Sequence, residues 1–378
     1  MVNVNKAIVF FSSVLGLASC RTTGPAGSQD LNAVSTPKRI AELPLHKLEN
    51  WFETPENEAK ITNDAIAFGK TFAMGRGTRD AHTKANGCVK ATFTVHSKIP
   101  DDLKVGFFAK PGSYKSWIRY SKSSPESKPD SMGDALGMAI KVIGGGAAEK
   151  SVALLPNNSQ DFLLVNHPNF IVQNIRDYME LQKDTKAYLI NPLHFETTGI
   201  ILKIQGKKIA NPLETRYWSM AAYALGENGA VKYSAVPCST EITPYPAVPS
   251  DSMLAQNLAK TLATKEVCFD FKVQRFINPQ RTPVENSMQE WKEKDLFNFS
   301  NEFETVARVT IPAQTLNSPA QEKFCENLSF NPWNTSMEHR PLGNLNRVRR
   351  SLYKEIANAR HVKNAAPFPL EPTGDEVF

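Results

Sequence analysis

Hydrophobic and polar positions change their period several times along this chain. Residues 344–364, NLNRVRRSLYKEIANARHVKN, contain no Gly or Pro and are rich in helix formers, which predicts a helix. At about 100° per residue, Leu345, Val348, Leu352, Ile356 and Ala359 make one apolar stripe. Arg347, Arg350, Lys354, Glu355 and Asn358 fall on the opposite face. Arg349, Tyr353 and Arg360 belong to neither face and stack within roughly 40° of one another along the flank of the stripe. Residues 41–74 predict two helical segments broken near Thr54-Pro55, and the second (56–72) has helical apolar spacing at Ile61, Ala65, Ile66 and Phe72. Between these helical regions the period shortens to that of strands. Residues 89–95 and 266–276 alternate apolar and polar, and 116–121, 134–142 and 306–311 also read as strands. Residues 217–237 read as a hairpin around Gly226-Glu227-Asn228-Gly229, and 252–265 as a helix. The pattern of elements is therefore α+β.

The first residues read as export machinery. A short n-region with Lys6 precedes an apolar run at 7–17, too short to span a bilayer. It ends in Leu17-Ala18-Ser19-Cys20, which looks like a lipobox. The other reading is a secretory signal with a chance Cys. The expectation is a signal peptide at 1–19, lipidation of Cys20, a Ser/Thr/Gly/Ala-rich tether at 20–38 and a single domain at 39–378. Arg21, rather than Asp, follows the Cys; by resemblance to Gram-negative lipoproteins this implies the periplasmic face of the outer membrane.

The formal charge of +6 is mild and spread along the chain. No basic run or aromatic-basic interleaving points to nucleic acid. Four further cysteines, Cys88, Cys238, Cys268 and Cys325, permit three pairings, and none has the CxxC spacing of a zinc site.

The candidate chemistry starts on the 344–364 helix. Arginines at a helix margin commonly lay their alkyl stems on apolar surface. Arg349-x-x-x-Tyr353 also suits an iron site, because a ligating phenol must ionise and a cation one turn away favours the phenolate. Together with Arg360, seven residues after the Tyr, this resembles the proximal helix of haem catalases. Upstream, Arg79, His82, Lys84 and Gly87 match that family's distal segment in order. Ser116-Trp117-Ile118-Arg119-Tyr120-Ser121 resembles its strand with Arg-aromatic-Ser, and Asp134-Ala135-Leu136-Gly137-Met138-Ala139-Ile140-Lys141-Val142 its Asp-x-x-Gly-x-Ala-x-Lys strand, with Leu136 in place of the usual Arg. The resemblance spans roughly residues 78–364.

The resemblance implies an eight-stranded antiparallel β-barrel with helices around it, and haem b between barrel and proximal helix. It implies Tyr353 as the ferric iron ligand, with Arg349 keeping it anionic. Arg79, Arg119 and Arg360 would meet haem propionates, His82 would move a peroxide proton, and Ser121 would hydrogen-bond near it. Tyr178 falls where the family has an aromatic over the porphyrin. The distal Asn is ambiguous: without a gap its position is Val165, and a one-residue shift gives the role to Asn166. His339 stands as a possible supporting group below the haem. The implied function is a peroxide-consuming oxidoreductase acting on hydrogen peroxide or an organic hydroperoxide. The alternatives are a non-enzymatic haem-binding lipoprotein and a fatty-acid hydroperoxide-converting enzyme.

Overall fold

Alternation along the strands puts one face of each inside a barrel and the other against helices. The computed structural model describes residues 43–51, 53–146, 152–154, 158–295, 299–316 and 318–378. In chain order the elements are α1 (Pro55–Arg76), β1 (Ala85–Val95), β2 (Gly112–Lys122), β3 (Leu136–Ile143), β4 (Ser159–Val165), α2 (Ile175–Lys183), α3 (Thr185–Ile190), α4 (Phe195–Gln205), β5 (Tyr217–Trp218), β6 (Tyr223–Leu225), β7 (Gly229–Pro237), α5 (Met253–Leu262), β8 (Val267–Arg275), β9 (Glu304–Ile311), α6 (Pro319–Asn327) and α7 (Asn344–Lys363). The strands pair antiparallel in the order β4-β3-β2-β1-β9-β8-β7, and β5 closes the ring by pairing with both β7 and β4. β5 and β6 lie along the same edge of β7 as two pieces of one interrupted strand, so the barrel counts eight strands.

The barrel is packed rather than hollow. Phe93, Phe162, Tyr233 and Phe271 meet at its centre, with Phe162 and Phe271 ring centroids 4.6 Å apart. Leu254, Leu258 and Leu262 of α5 join the same core. Gly87 permits that approach, because a Cβ there would sit 2.5 Å from Leu258 Cδ2.

Several expectations are corrected. Residues 43–51 form no helix: Pro44 disfavours one, and the segment is tied down instead by Glu49, which accepts from the backbone N–H of His46 and of Gly343. In α1 the buried residues are Glu58, Thr62, Ala65, Gly69 and Ala73, not the expected Ile61, Ile66 and Phe72. That face is small because α1 packs against α7, and a Cβ on Gly69 would overlap the Ile356 side chain. On the polar face of α7, two arginines are taken up by the rest of the protein. Arg347 pairs with Glu49 (2.7 Å), Glu58 (2.7 Å) and Glu285 (3.0 Å), and Arg350 donates to the Val152 carbonyl (2.9 Å). The hairpin at 217–237 is interrupted at Ser219–Ala222, where Met220 adopts φ +59°.

The cysteines pair as Cys88–Cys325 and Cys238–Cys268. The first joins β1 to α6. The expected signal peptide, Cys20 and the whole of the expected tether lie outside the described residues. Among the described residues, no helix is long and apolar enough to cross a membrane.

Candidate functional site

The outward faces of β2, β3 and β4 form one wall of a cavity of about 220 Å³, and α7 forms another. Strand register sets the first wall. Ile118 and Tyr120 point into the barrel, so Arg119 and Ser121 point out. Ser121 pairs across to Gly137 and Gly137 to Val165, while Arg119 pairs to Ala139 and Ala139 to Leu163. All six residues line the cavity.

His82 lies over Gly137. A Cβ at Gly137 would sit 2.6 Å from His82 Nδ1 and 2.8 Å from Ser121 Oγ, so glycine is what admits the imidazole. His82 Nδ1 is 3.0 Å from Ser121 Oγ. Its φ of +56° is unusual for a residue with a side chain, and its N–H donates to the Ser123 carbonyl at 3.0 Å. Burial, followed by the cations Arg119, Arg349 and Arg79, pushes the His82 pKa down to about 3. The ring is therefore neutral at ordinary pH and keeps one nitrogen free to accept a proton.

On the helix wall, Arg349 Nη2 donates to Tyr353 Oη at 3.0 Å, and its guanidinium carbon lies 4.9 Å from the Tyr353 ring centroid. Arg349 is fixed at its other end by Asn346 Oδ1 (3.0 Å). Burial opposes its charge, but Tyr353 and Tyr223 outweigh that and hold its pKa above the usual value. Leu345, Val348, Leu352 and Ile356 give this wall an apolar surface. Tyr178 of α2 also faces the cavity, and burial raises its phenol pKa, as does the nearby Asp80 carboxylate.

One end of the cavity is strongly cationic. Arg79, Arg119 and Arg360 converge there around Glu326 of α6, with Asp80 also facing Arg360 and Arg79. Arg79 Nη1 approaches Glu326 Oε1 at 2.9 Å and Arg360 Nε at 4.0 Å, without hydrogen-bond alignment. Arg79 also donates to the Leu328 carbonyl (2.6 Å), Arg119 to the Thr83 carbonyl (3.2 Å) and Arg360 to Ser329 Oγ (3.1 Å). The buried Nε atoms of Arg119 and Arg360 have no hydrogen-bond partner. Burial and mutual repulsion push down the pKa of Arg119 and bring that of Arg360 to about 9. An anion at this end would relieve that repulsion and take up the orphaned donors.

These features fit haem. The slot between strands and helix is mainly apolar, its cationic end has more arginines than carboxylates, and an arginine-paired phenol stands on one wall. Of the residues singled out from the sequence, Arg79, His82, Arg119, Ser121, Tyr178, Arg349, Tyr353 and Arg360 line this one cavity. Asn166 does not. Its backbone N–H and side-chain Oδ1 bond the two backbone groups of Leu136 (2.9 and 2.7 Å), and Val165 takes the cavity position. The one-residue shift fails because side chains alternate across β4, which turns the neighbour of an outward residue away. His339 is also elsewhere. It is fully buried against Phe108 and bonded to the Val105 carbonyl at 2.9 Å.

Sequence reasoning missed Asp80 and Glu326. Asp80 sits between two residues already picked out, Arg79 and His82, and that adjacency was the available signal. Burial raises its pKa, while its own and Ala81's backbone N–H groups and then the charges of Arg360 and Arg79 act against this. Glu326 carries no local signature, since only folding brings α6 to the arginines.

No family model matches the sequence, and no curated protein matches it in sequence. Solved structures do match the fold. A fungal catalase aligns with a TM-score of 0.62 at 14% identity, covering 80% of this chain and 63% of that one. Catalase A from Saccharomyces cerevisiae aligns with a TM-score of 0.58 at 15% identity, covering 75% and 60%. A bacterial catalase aligns with a TM-score of 0.58 at 12% identity, covering 92% and 67%. The chain thus has the catalase fold and spans about three-fifths of the length of the first two neighbours.

Proposed function

We propose that this chain, built on the catalase fold, is a haem-dependent oxidoreductase that consumes hydrogen peroxide or an organic hydroperoxide. The observation that carries the reading is one cavity with a neutral, braced His82 on its barrel wall and an arginine-paired Tyr353 on its helix wall. Tyr353 would ligate ferric haem b as the phenolate, and Arg349 would stabilise that anion. Arg79, Arg119 and Arg360 would hold the haem carboxylates, and Tyr178 would pack against the ring. When bound, haem supplies the two-electron redox chemistry that splits the peroxide bond.

The protein's own part is proton movement. With Nδ1–H donated to Ser121 Oγ, His82 Nε2 accepts the proton of the attacking peroxide oxygen and returns it to the leaving oxygen. A proton shuttle of this kind contributes about 10²–10⁴-fold. Val165, on the same wall, has no donor with which to orient peroxide. We therefore expect oxidation of an organic donor to exceed oxygen release. The same valine supports a second reading, a haem-binding protein without turnover.

The sequence pattern around Cys20 supports an acylated protein on the periplasmic face of the outer membrane. Labelled palmitate incorporated by the parent chain and not by Cys20→Ser tests that assignment.

The decisive experiment uses the exported Cys20→Ser chain loaded with haem. A high-spin ferric tyrosinate spectrum that is lost in Tyr353→Phe is expected, together with peroxide consumption lost in His82→Ala while haem is retained. Equal peroxide consumption by parent and His82→Ala would support the binding protein instead. Absence of a Soret band after haem is supplied would overturn both readings.

A further inference from the structure

The surface made by α3, the turn Pro192–His194 and α4 is apolar where the rest of the described surface is mainly polar. Ile190, Leu193, Phe195 and Leu202 are 65%, 85%, 77% and 55% exposed. Helix α4 is apolar on two sides. Ile200 and Ile204 face inward and pack with Ala135 and the cavity residue Val165, whereas Phe195 and Leu202, two turns apart, face out. A helix apolar on both faces calls for cover on both, and a contiguous exposed apolar patch marks an interaction site.

The corner is firmly built. The His194 ring stacks on Tyr188 with centroids 3.6 Å apart, and His194 Nδ1 lies 3.1 Å from the Tyr188 carbonyl. Asn191 Oδ1 accepts from the Leu193 N–H at 3.0 Å, and Thr198 Oγ1 donates to the Leu189 carbonyl at 3.0 Å. The polar groups of the turn are thus satisfied internally while large apolar side chains face outward. Residues 183–208 carry five lysines against two acids, Asp184 and Glu196. Of the lysines, Lys183, Lys186, Lys203 and Lys208 are exposed.

We propose that this face docks on an anionic phospholipid bilayer. Leu193 and Phe195 enter the acyl boundary, and the lysines meet headgroup phosphates. Charge selects this occupant over a second copy of the chain, because a two-fold contact would lay one basic rim against the other. The chain outside the described residues is compatible with it. Extended, the stretch from Cys20 to Leu43 spans up to about 80 Å, enough for an anchor there and this face to share one membrane. The inference does not depend on the haem reading.

The test uses the chain from residue 20 onward carrying Cys20→Ser, which removes both the apolar run at 7–17 and any acyl anchor. It is sedimented with phosphatidylethanolamine–phosphatidylglycerol vesicles and with phosphatidylcholine vesicles. Binding to the anionic vesicles is expected to weaken with salt and to exceed binding to phosphatidylcholine. Leu193→Asp/Phe195→Asp is expected to lower partitioning by about tenfold or more, and Lys186→Glu/Lys203→Glu to lower it as well. Both variants change exposed positions, so their melting temperatures should match the parent's. No sedimentation with anionic vesicles, or sedimentation unchanged by both variants, overturns the proposal. So does a dimer, seen by light scattering without vesicle binding, that Leu193→Asp/Phe195→Asp dissociates.

Discussion

His82 combines two properties that one environment produces. Gly137 leaves room for the imidazole beside Ser121, and burial among Arg119, Arg349 and Arg79 keeps it neutral. Folding lowers its pKa from 6.5 to about 3, so between those values the unfolded chain binds more protons than the folded one. Stability conferred by the neutral ring is therefore complete above pH 6.5 and is lost as pH falls toward 3. Urea midpoints of the parent should fall across this window relative to those of His82→Ala, which has no imidazole to titrate. A constant difference would show that the ring is not held neutral. Gly137→Ala places a methyl against both His82 and Ser121. Peroxide consumption should drop by about 10²-fold, since a displacement near 1 Å at a reacting group costs that much. Haem content should be unchanged, because Gly137 lies on the wall away from Tyr353. These residue-level features were partly legible. The order Arg79, His82, Arg119, Ser121 could be read from the chain, whereas the choice between Val165 and Asn166 needed the strand register.

At the scale of elements, α7 was legible as a helix but not as a nearly enclosed one. Its periodic stripe identified Leu345, Val348 and Ile356 as inward, and they are buried. The charged residues of its opposite face carry no signal of what they meet. In the fold that face meets the segment before α1, α1 itself and Glu285, and Arg347 becomes the shared partner of three carboxylates. The Arg347 side chain is 9% exposed, and those of Glu49 and Glu58 are 4% exposed. Arg347→Met should therefore destabilise the protein by about 3–5 kcal/mol, the cost of leaving buried charges uncompensated. Chemical denaturation measures this, and a change below about 1 kcal/mol would show the cluster to be an ordinary surface network. The α1 pattern misled for a related reason. Hydrophobicity marks the inward face of a helix only when its partner stands at ordinary distance, and α1 approaches α7 through Ala65, Gly69 and Ala73.

At the scale of the whole molecule, the cationic end of the cavity depends on parts far apart in sequence. Cys88–Cys325 ties β1 to α6 across 237 residues, and Glu326 and the Leu328 carbonyl, which face Arg79, follow directly. Cys88→Ala/Cys325→Ala should lower stability by about 2–5 kcal/mol and weaken haem retention. Urea unfolding and haem transfer to an acceptor protein measure the two effects, and retention equal to the parent's would show that α6 is held without the bond. The sequence by itself determined that α1, α7 and several barrel strands form, the order of the resembling segments and the pairing of Arg349 with Tyr353, because those follow from local patterns along the chain. Only the tertiary structure decided which cysteines pair, that β5 closes the barrel, that Val165 rather than Asn166 faces the cavity, and that Glu326 meets three arginines. Those outcomes depend on strand register and on contacts between residues hundreds of positions apart, and the free energy that selects them comes from packing rather than from any local pattern.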